Sequence, residues 1–317
     1  MYLLRRPILA LSANNKVRDT IVRAPVTRHV VQRFVAGETS EEAAAAVLAL
    51  RDRGLQVTMD HLGEDTTEPA EADATVDAYL DLIQVLAEVG SVADTEVSVK
   101  LSAVGQALPT SADVPDGGHA YALAAAGRIA DAAYAVGARM TLDMEDHTTV
   151  DSTLAILKEL RRHHPDIGVA IQAMLHRTES DLQRLVGPGS RVRLVKGAYN
   201  EPASVAFQGP EEVDLAYVRC LRRLMAGEGR PLVGTHDPRL IAIADRLATD
   251  NGRAMDTWEY QMLYGIRPQE QTRLASLGHP VRIYVAYGQD WYGYFIRRLA
   301  ERPANLLFFA RSVLSKT

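Results

Sequence analysis

The chain has 317 residues, 47% hydrophobic and 24% charged, with 35 lysines and arginines against 40 acidic residues and a net charge of -5. This composition is typical of a globular protein with one large core or two modest ones, and the lack of a basic excess argues against a nucleic-acid partner. The single cysteine, Cys220, excludes an internal disulfide framework and is typical of a reducing compartment. No run of about 20 apolar residues occurs, so we expect a cytoplasmic protein without a transmembrane segment.

The N-terminal region, residues 1–53, predicts a helical arm. From about Val26 to the end of this region the pattern is helical, and Thr39 followed by two acids is an N-cap pattern within it. We assign the arm a covering role. Residues 54–317 are predicted to form the catalytic domain.

Beyond residue 54 a short apolar run followed by a longer helical pattern occurs eight times. The predicted strands are Leu55–His61, Glu96–Leu101, Arg139–Asp143, Gly168–Ala173, Arg191–Lys196, Pro231–Thr235, Ala254–Tyr260 and Pro280–Ala286. The predicted helices follow them at roughly 70–89, 119–136, 148–163, 177–186, 211–228, 237–250, 267–277 and 289–300. Eight such units predict an α/β fold, a (β/α)8 TIM barrel. A doubly wound open sheet is the alternative, but it usually has a glycine-rich turn after its first strand, where this sequence has DHLGED.

Chemistry in such barrels comes from the carboxyl ends of the strands. The predicted strand ends supply Lys100, Asp143, Gln172, Lys196, Thr235, His236, Glu259 and Tyr284. Lys100 alone could be a Schiff-base nucleophile, a cation for a carboxylate or a solvated loop charge. The acids around Asp143 lack the spacing of a two-histidine metal site, and we expect no metal.

The run 191–198 combines positive charge with small residues. Alternation places Arg191 and Arg193 on one face of the strand. A buried arginine needs a partner, and both a bound cofactor and a carboxylate on a neighbouring strand remain open. After Lys196, the small residues Gly197 and Ala198 would let a flat or phosphorylated ligand approach the backbone.

The last predicted helix carries two adjacent arginines, Arg297 and Arg298. Both have the spacing for a surface ion pair with Glu301. The alternative is a clamp for a small carboxylate, sheltered by Trp291, Tyr292, Tyr294 and Phe295. The clamp requires this helix to lie over the barrel mouth, and we predict that position.

Eight motifs in chain order together resemble those of the proline dehydrogenase family. They are VSVKLS (97–102), LDMED (142–146), QAMLHRT (172–178), VRLVKGAYNEP (192–202), GTHD (234–237), EYQMLYG (259–265), RIYVAYG (282–288) and YFIRRLAERPAN (294–305). They cover roughly residues 55–305 and look like the short monofunctional bacterial form. The resemblance implies oxidation of L-proline to Δ1-pyrroline-5-carboxylate by hydride transfer to FAD, the first step of proline degradation to glutamate.

The resemblance also implies roles for the residues on the substrate side. Arg297 and Arg298 would clamp the proline carboxylate with help from Lys100. The other residues on this side would support the charged network (Asp143), pack on the pyrrolidine ring (Tyr284), orient the arginine pair (Glu301) and line the ring pocket (Leu263 and Tyr294).

On the cofactor side, Arg193 would approach the flavin ring near its reactive nitrogen. The remaining FAD-binding residues that the resemblance implies are Met144, Gln172, Lys196, Gly197, Ala198, Thr235 and His236. A flavin beside Arg193 would be the partner that this buried arginine needs.

The resemblance suggests a membrane quinone as electron acceptor. The apolar tail 304–314 could then give peripheral contact at the inner face of the cell membrane, or pack under the barrel or in a subunit interface. Nothing in the sequence specifies an oligomeric state. Two other functions are considered: a Schiff-base aldolase using Lys100 or Lys196, and an alanine-rich helical interaction module without enzymatic activity.

Overall fold

A computed structural model describes residues 31–90, 92 and 94–301, and its strands form a closed parallel barrel in chain order. Each strand bonds to the next in register, and β1 pairs with β8 to close the barrel. The strands are β1 Gln56–His61, β2 Thr95–Val99, β3 Arg139–Leu142, β4 Gly168–Gln172, β5 Arg191–Val195, β6 Arg230–Gly234, β7 Glu259–Leu263 and β8 Val281–Tyr287. The predicted (β/α)8 barrel is therefore confirmed.

Helices precede β1 and follow each strand. They are α1 Ser40–Arg51, α2 Pro69–Glu88, α3 Gly117–Ala135, α4 Val150–Leu160, α5 Thr178–Asp181, α6 Pro210–Ala226, α7 Pro238–Asp250, α8 Pro268–Ser276 and α9 Trp291–Glu301. Short 3-10 turns lie at Ser102–Val104, Leu182–Arg184 and Met255–Thr257. None of the helices within the described ranges is long and apolar enough to cross a membrane.

The predicted continuous helix from Val26 to Arg53 is confirmed over Ser40–Arg51 and is wrong over residues 32–39. Residues 32–39 form turns and a bridge from Val35 to β8, and α1 begins only at Ser40. Gly37 lies at φ +140°, outside the helical region, and the Thr39 side chain then accepts a hydrogen bond from the Glu42 amide as an N-cap. Residues 26–30 lie outside the described part of the chain.

The seventh strand was predicted about five residues too early. Residues 255–257 form a 3-10 turn, and β7 runs over Glu259–Leu263. Glu259 therefore begins the strand instead of ending it, and its carboxylate binds the Arg282 guanidinium at 2.7 Å on the amino-terminal side of the barrel. Its prediction as a mouth residue is wrong.

The last helix, α9, lies over the carboxyl ends of the strands, as predicted. Its apolar side chains form one cluster with Phe34, Leu62 and Ile266, and Leu263 and Tyr284 pack against that cluster. Leu62 follows β1, Leu263 ends β7 and Ile266 follows it, whereas Phe34 precedes β1. Helix α1 instead packs beside α2, β1 and β8 in the outer ring. Residues 40–51, within the predicted arm, thus occupy a place in the ring.

The apolar core lies between strands and helices, and the barrel interior is polar. Outward residues such as Val57, Met59, Val97 and Val99 are buried in the main core. Many inward positions are also buried but carry hydrogen-bonding groups: Thr58, Asp60, Glu96, Ser98, Thr141, Arg191, Arg193, Glu259, Gln261 and Arg282. Ala170 and Leu232, in register with Arg193, are apolar exceptions. Barrel interiors are usually filled with branched apolar side chains. This one must satisfy charge and hydrogen bonding at every level.

Glu96 is the centre of the lower interior. Its carboxylate accepts hydrogen bonds from Arg191 and from Arg193, the latter at 3.0 Å. Burial would raise the Glu96 pKa, but Arg191, Arg282 and Arg193 outweigh burial and hold that pKa well below its ordinary value. The carboxylate is therefore ionised at neutral pH and compensates two arginines.

Replacing Glu96 with alanine should lower the free energy of unfolding by about 3–5 kcal/mol, because buried Arg191 loses its carboxylate partner and Arg193 loses one of its two. Asp250→Ala is the matched control, since its pair with Arg246 is exposed and should contribute less than about 1 kcal/mol. Urea unfolding at pH 7 measures both. Because the folded pKa of Glu96 is lowered, its contribution is present above its ordinary pKa of 4.5 and is lost as pH falls through the folded pKa. Equal losses for the two variants would contradict the prediction.

Candidate active site

Lys100 follows β2 and binds a buried carboxylate at the barrel mouth. Its Nζ atom lies 2.5 Å from Oδ1 of Asp60 and 4.0 Å from Oδ2 of Asp143. Burial would lower the pKa of Lys100, but the charges of Asp60 and Asp143 outweigh burial and raise that pKa above its ordinary value. Burial raises the pKa of Asp60 to about 6, against the lowering effect of Lys100. Lys100 is thus a fixed cation.

Asp143 follows β3 and joins the two sides of the mouth. Its Oδ1 accepts from the Ser98 hydroxyl at 2.8 Å and from Arg193 at 2.5 Å, and its Oδ2 accepts from the Tyr284 hydroxyl at 2.6 Å. The guanidinium carbon of Arg193 lies 5.3 Å from the centre of the Tyr284 ring. Three of the predicted site residues therefore form one contact group.

Arg193 reaches across the barrel from β5, and protein groups hold its guanidinium. Besides Asp143, it donates to Gln261 at 2.5 Å, to Ser98 at 2.9 Å and to Glu96 at 3.0 Å. The sequence left open a cofactor or a carboxylate on a neighbouring strand as partner, and the carboxylates found here, Glu96 on β2 and Asp143 after β3, come from strands that are not neighbours of β5. The predicted approach of Arg193 to a flavin stays a prediction.

The α9 arginines lie over the same part of the mouth. Arg297 binds Glu64, in the loop after β1, through both terminal nitrogens. A guanidinium group has five N–H donors, so three remain for another anion. Arg298 is buried, and its guanidinium carbon lies 5.0 Å from the centre of the Tyr294 ring. The predicted contact with Glu301 lies outside the described side chains.

Most of the remaining predicted residues end or follow β4, β5 and β6, which face β8, β1 and β2 across the closed barrel, and Met144 follows β3. Gln172 donates to the carbonyl of Glu145 at 2.7 Å. Lys196 lies between Asp214 and Asp237, at 2.5 and 3.2 Å. The Thr235 hydroxyl oxygen accepts from the Asp237 amide, and Nε2 of His236 accepts from the Leu263 amide. Met144 is buried.

The exit of β5 has a backbone that requires glycine. Gly197 has φ +115°, and a Cβ atom there would lie 2.5 Å from the sulfur of Met174. The small Ala198 follows. Met174 therefore occupies the space beside Gly197, and Lys196 already has two carboxylate partners.

The sequence interpretation missed several residues that hold the predicted ones. Asp60 binds Lys100, Glu64 binds Arg297, and Gln261 binds Arg193. Asp60 ends an alternating run in β1, so the strand-end rule could have found it. Gln261 was lost with the misplaced β7, and the contact of Glu64 with Arg297 joins loops far apart in the sequence. In the described ranges, no group of three or more His, Cys, Asp or Glu side chains could hold a metal ion.

Comparisons with known proteins give the family of the chain. Residues 43–311 match the family described as "Proline dehydrogenase". The chain is 36% identical to proline dehydrogenase 1 of Bacillus subtilis (strain 168), over 99% of this chain and 100% of that protein. It is 38% identical to a proline dehydrogenase of Deinococcus radiodurans, over 90% of each chain.

Among solved structures, proline utilization A of Bdellovibrio bacteriovorus superposes with a TM-score of 0.78 at 24% identity. That superposition covers 87% of this chain, which spans 33% of the larger protein. At this identity the likeness concerns the fold.

Gly197→Ala should lower the free energy of unfolding by about 2–4 kcal/mol, from left-handed backbone strain plus the clash with Met174. Gly137→Ala is the matched control, because Gly137 has φ +84° but nothing within 4 Å of an added Cβ. It should lose only about 1 kcal/mol. Urea unfolding of both variants checks this difference, and equal losses would mean that Met174 moves away freely.

Proposed function

The chain belongs to the proline dehydrogenase family, and from that premise we propose that it oxidises L-proline to Δ1-pyrroline-5-carboxylate with FAD as hydride acceptor. The observation that carries the proposal is a division of the barrel mouth. Fixed cations lie on one side, with Lys100 after β2 and the arginines on α9. Hydrogen-bonding groups of β4–β6 lie on the other side, and Asp143, Arg193 and Tyr284 connect the two.

The cationic side suits a small amino-acid carboxylate. Lys100 and Arg297 are held in place by Asp60 and Glu64, so neither must be ordered when the substrate binds. The three N–H groups of Arg297 that Glu64 leaves, together with Arg298, can bind a carboxylate through charge-assisted hydrogen bonds. Leu263, Tyr284 and Tyr294 supply apolar surface for the pyrrolidine ring.

The residues of β4–β6 fit a flavin cofactor in their chemistry. The ammonium of Lys196 suits a phosphate group, and the amide of Gln172 suits a hydrogen-bonding ring edge. We assign Met144, Gln172, Arg193, Lys196, Gly197, Ala198, Thr235 and His236 to FAD binding. When bound, FAD supplies the hydride acceptor. The chain's own residues orient the substrate, and the positive charge of Arg193 lies where it would favour an anionic partner.

The chemistry of Lys100 argues against the aldolase alternative. A Schiff-base lysine must be neutral to attack a carbonyl group, and Asp60 and Asp143 raise the pKa of Lys100 despite its burial. Lys196 is likewise held between two carboxylates. Both lysines are therefore better suited to binding anions than to nucleophilic attack.

For the later steps, we propose a membrane quinone as electron acceptor and a cytoplasmic location with peripheral membrane contact. The apolar tail 304–314, which is the proposed contact, lies outside the described residues.

The proposed function predicts a yellow purified protein whose flavin absorbance is bleached by L-proline under anaerobic conditions. A colourless protein that borohydride traps covalently with a carbonyl substrate would point instead to the aldolase. A flavin spectrum that L-proline leaves unchanged would contradict the substrate.

Arg297→Ala/Arg298→Ala, with flavin bound, should raise the KM for proline at least about tenfold, since a charge-assisted pair contributes about 1.5–3 kcal/mol. Arg246→Ala is the control, because Arg246 is an exposed arginine of α7 that pairs with Asp250, and its KM should be unchanged. Steady-state kinetics measure both variants. A wild-type KM in the double variant would refute the clamp.

A further inference from the structure

Glu145 is a buried carboxylate at the mouth that the proposed chemistry does not use. It follows β3, and only 5% of the residue is exposed. The Ser102 amide donates to its Oε2 at 3.0 Å, and the Ser102 hydroxyl donates to its Oε1 at 2.5 Å. Both carboxylate oxygens are therefore directed at one residue in the turn after β2.

Ser102 in turn holds the loop after β1. Its hydroxyl oxygen accepts from the Asp65 amide at 3.1 Å, and its carbonyl accepts from the Thr66 amide at 3.2 Å and the Thr66 hydroxyl at 2.8 Å. Asp65 has φ 54°, a left-handed conformation that a residue other than glycine adopts only when its surroundings enforce it. The hydrogen bonds from Asp65 and Thr66 to Ser102 supply that enforcement.

The same loop carries Glu64, which binds Arg297 of α9. A continuous series of contacts thus runs from Glu145 through Ser102 and residues 65–66 to the Glu64–Arg297 pair. Ionised Glu145 directs the hydroxyl hydrogen of Ser102 toward itself, which leaves the oxygen of that hydroxyl free to accept from Asp65. The orientation of Arg297 therefore depends on a carboxylate that it does not touch.

We propose that Glu145 is a positioning residue for substrate capture, which acts through Ser102 and the 64–66 loop to fix Glu64 and, through Glu64, Arg297. This inference rests on the proposed function, because the carboxylate that Arg297 receives is taken to be that of proline. Its consequence is that the ionised form of Glu145 gives the better-organised mouth.

Burial brings the ionisation of Glu145 close to neutral pH. The groups that face it are Lys100 after β2, Glu64 in the loop after β1 and Tyr199 in the loop after β5. Burial raises the pKa of Glu145 to about 7, although the hydrogen bonds from Ser102 and the charge of Lys100 lower it. A protonated carboxyl group accepts the two bonds from Ser102 less well, so the loop should loosen as pH falls below about 7.

Glu145→Gln tests the link, because the amide keeps the shape but only one of its two terminal atoms can accept. At pH 8 we expect the KM for proline to rise roughly threefold to tenfold, the loss expected for one hydrogen bond, with kcat within about twofold of wild type. Wild-type KM should also rise as pH falls through about 7, and Glu145→Gln should lack this step. Burial also raises the pKa of Asp60, to about 6, so only a step that Glu145→Gln removes is assigned to Glu145.

A double-mutant cycle with Glu64→Gln separates positioning from a general structural effect. If Glu145 acts through Glu64, Glu145→Gln should not raise KM further in the Glu64→Gln background. Glu88→Gln is the control for a changed charge, because Glu88 is exposed on α2 and contacts only Gln84 among the hydrogen bonds described. An unchanged KM and pH step in Glu145→Gln, or an equal rise in both backgrounds, would overturn the inference.

Hydrogen exchange of the Asp65 and Thr66 amides gives a readout that does not need proline turnover. Glu145→Gln should accelerate exchange at both amides, and unchanged exchange would overturn the inference. Failure of the proposed function has a different signature. Wild-type protein would then not oxidise proline, while the exchange rates would still decide whether Glu145 holds the loop.

Discussion

The pairing of charges inside the barrel is the constraint on which the rest of this structure depends. Within the described part of the barrel, the carboxylates Asp60, Glu96, Asp143 and Glu259 pair with the buried cations Lys100, Arg191, Arg193 and Arg282, and the half-buried Arg230 also contacts Glu259. An unpaired charge at any level would be prohibitively costly in so buried a place. The candidate site is the upper end of this network, where Asp143 and Lys100 reach the mouth. Its groups are therefore preorganised by the same contacts that stabilise the fold.

The position of α9 is the second determinant. Because α1 packs against β1 and β8 in the outer ring, the last helix is not needed there and can lie over the strand ends. Its aromatic residues pack on Leu62, Leu263 and Tyr284, which brings Arg297 and Arg298 to the side of the mouth that holds Lys100. A helix in the outer ring could not have brought these arginines to the strand ends.

Much of the fold was predictable because local patterns determine it. The alternation of short apolar runs with helical segments identified all eight strands, and the predicted bounds of seven lay close to the observed ones. The predicted bounds of β7 were wrong, because Met255–Thr257 form a 3-10 turn before the strand begins. In the site, strand ends gave Lys100, Asp143 and Lys196. Partners such as Glu64 and Glu145 could not be predicted, because their contacts join loops whose approach is set by the closed barrel and not by nearby sequence.

The hydrogen bonds of Arg193 to four protein groups have a consequence for how such a chain can diverge. One guanidinium contacts Glu96 below it, Asp143 above it and Gln261 beside it. A change at any of these positions leaves a buried N–H group or the charge of Arg193 without its partner. A single substitution there should therefore be selected against, even far from the mouth. Functional variants should therefore carry coupled replacements at these positions. The interior should therefore behave as one inherited unit, conserved or exchanged in sets, while the helical exterior drifts residue by residue.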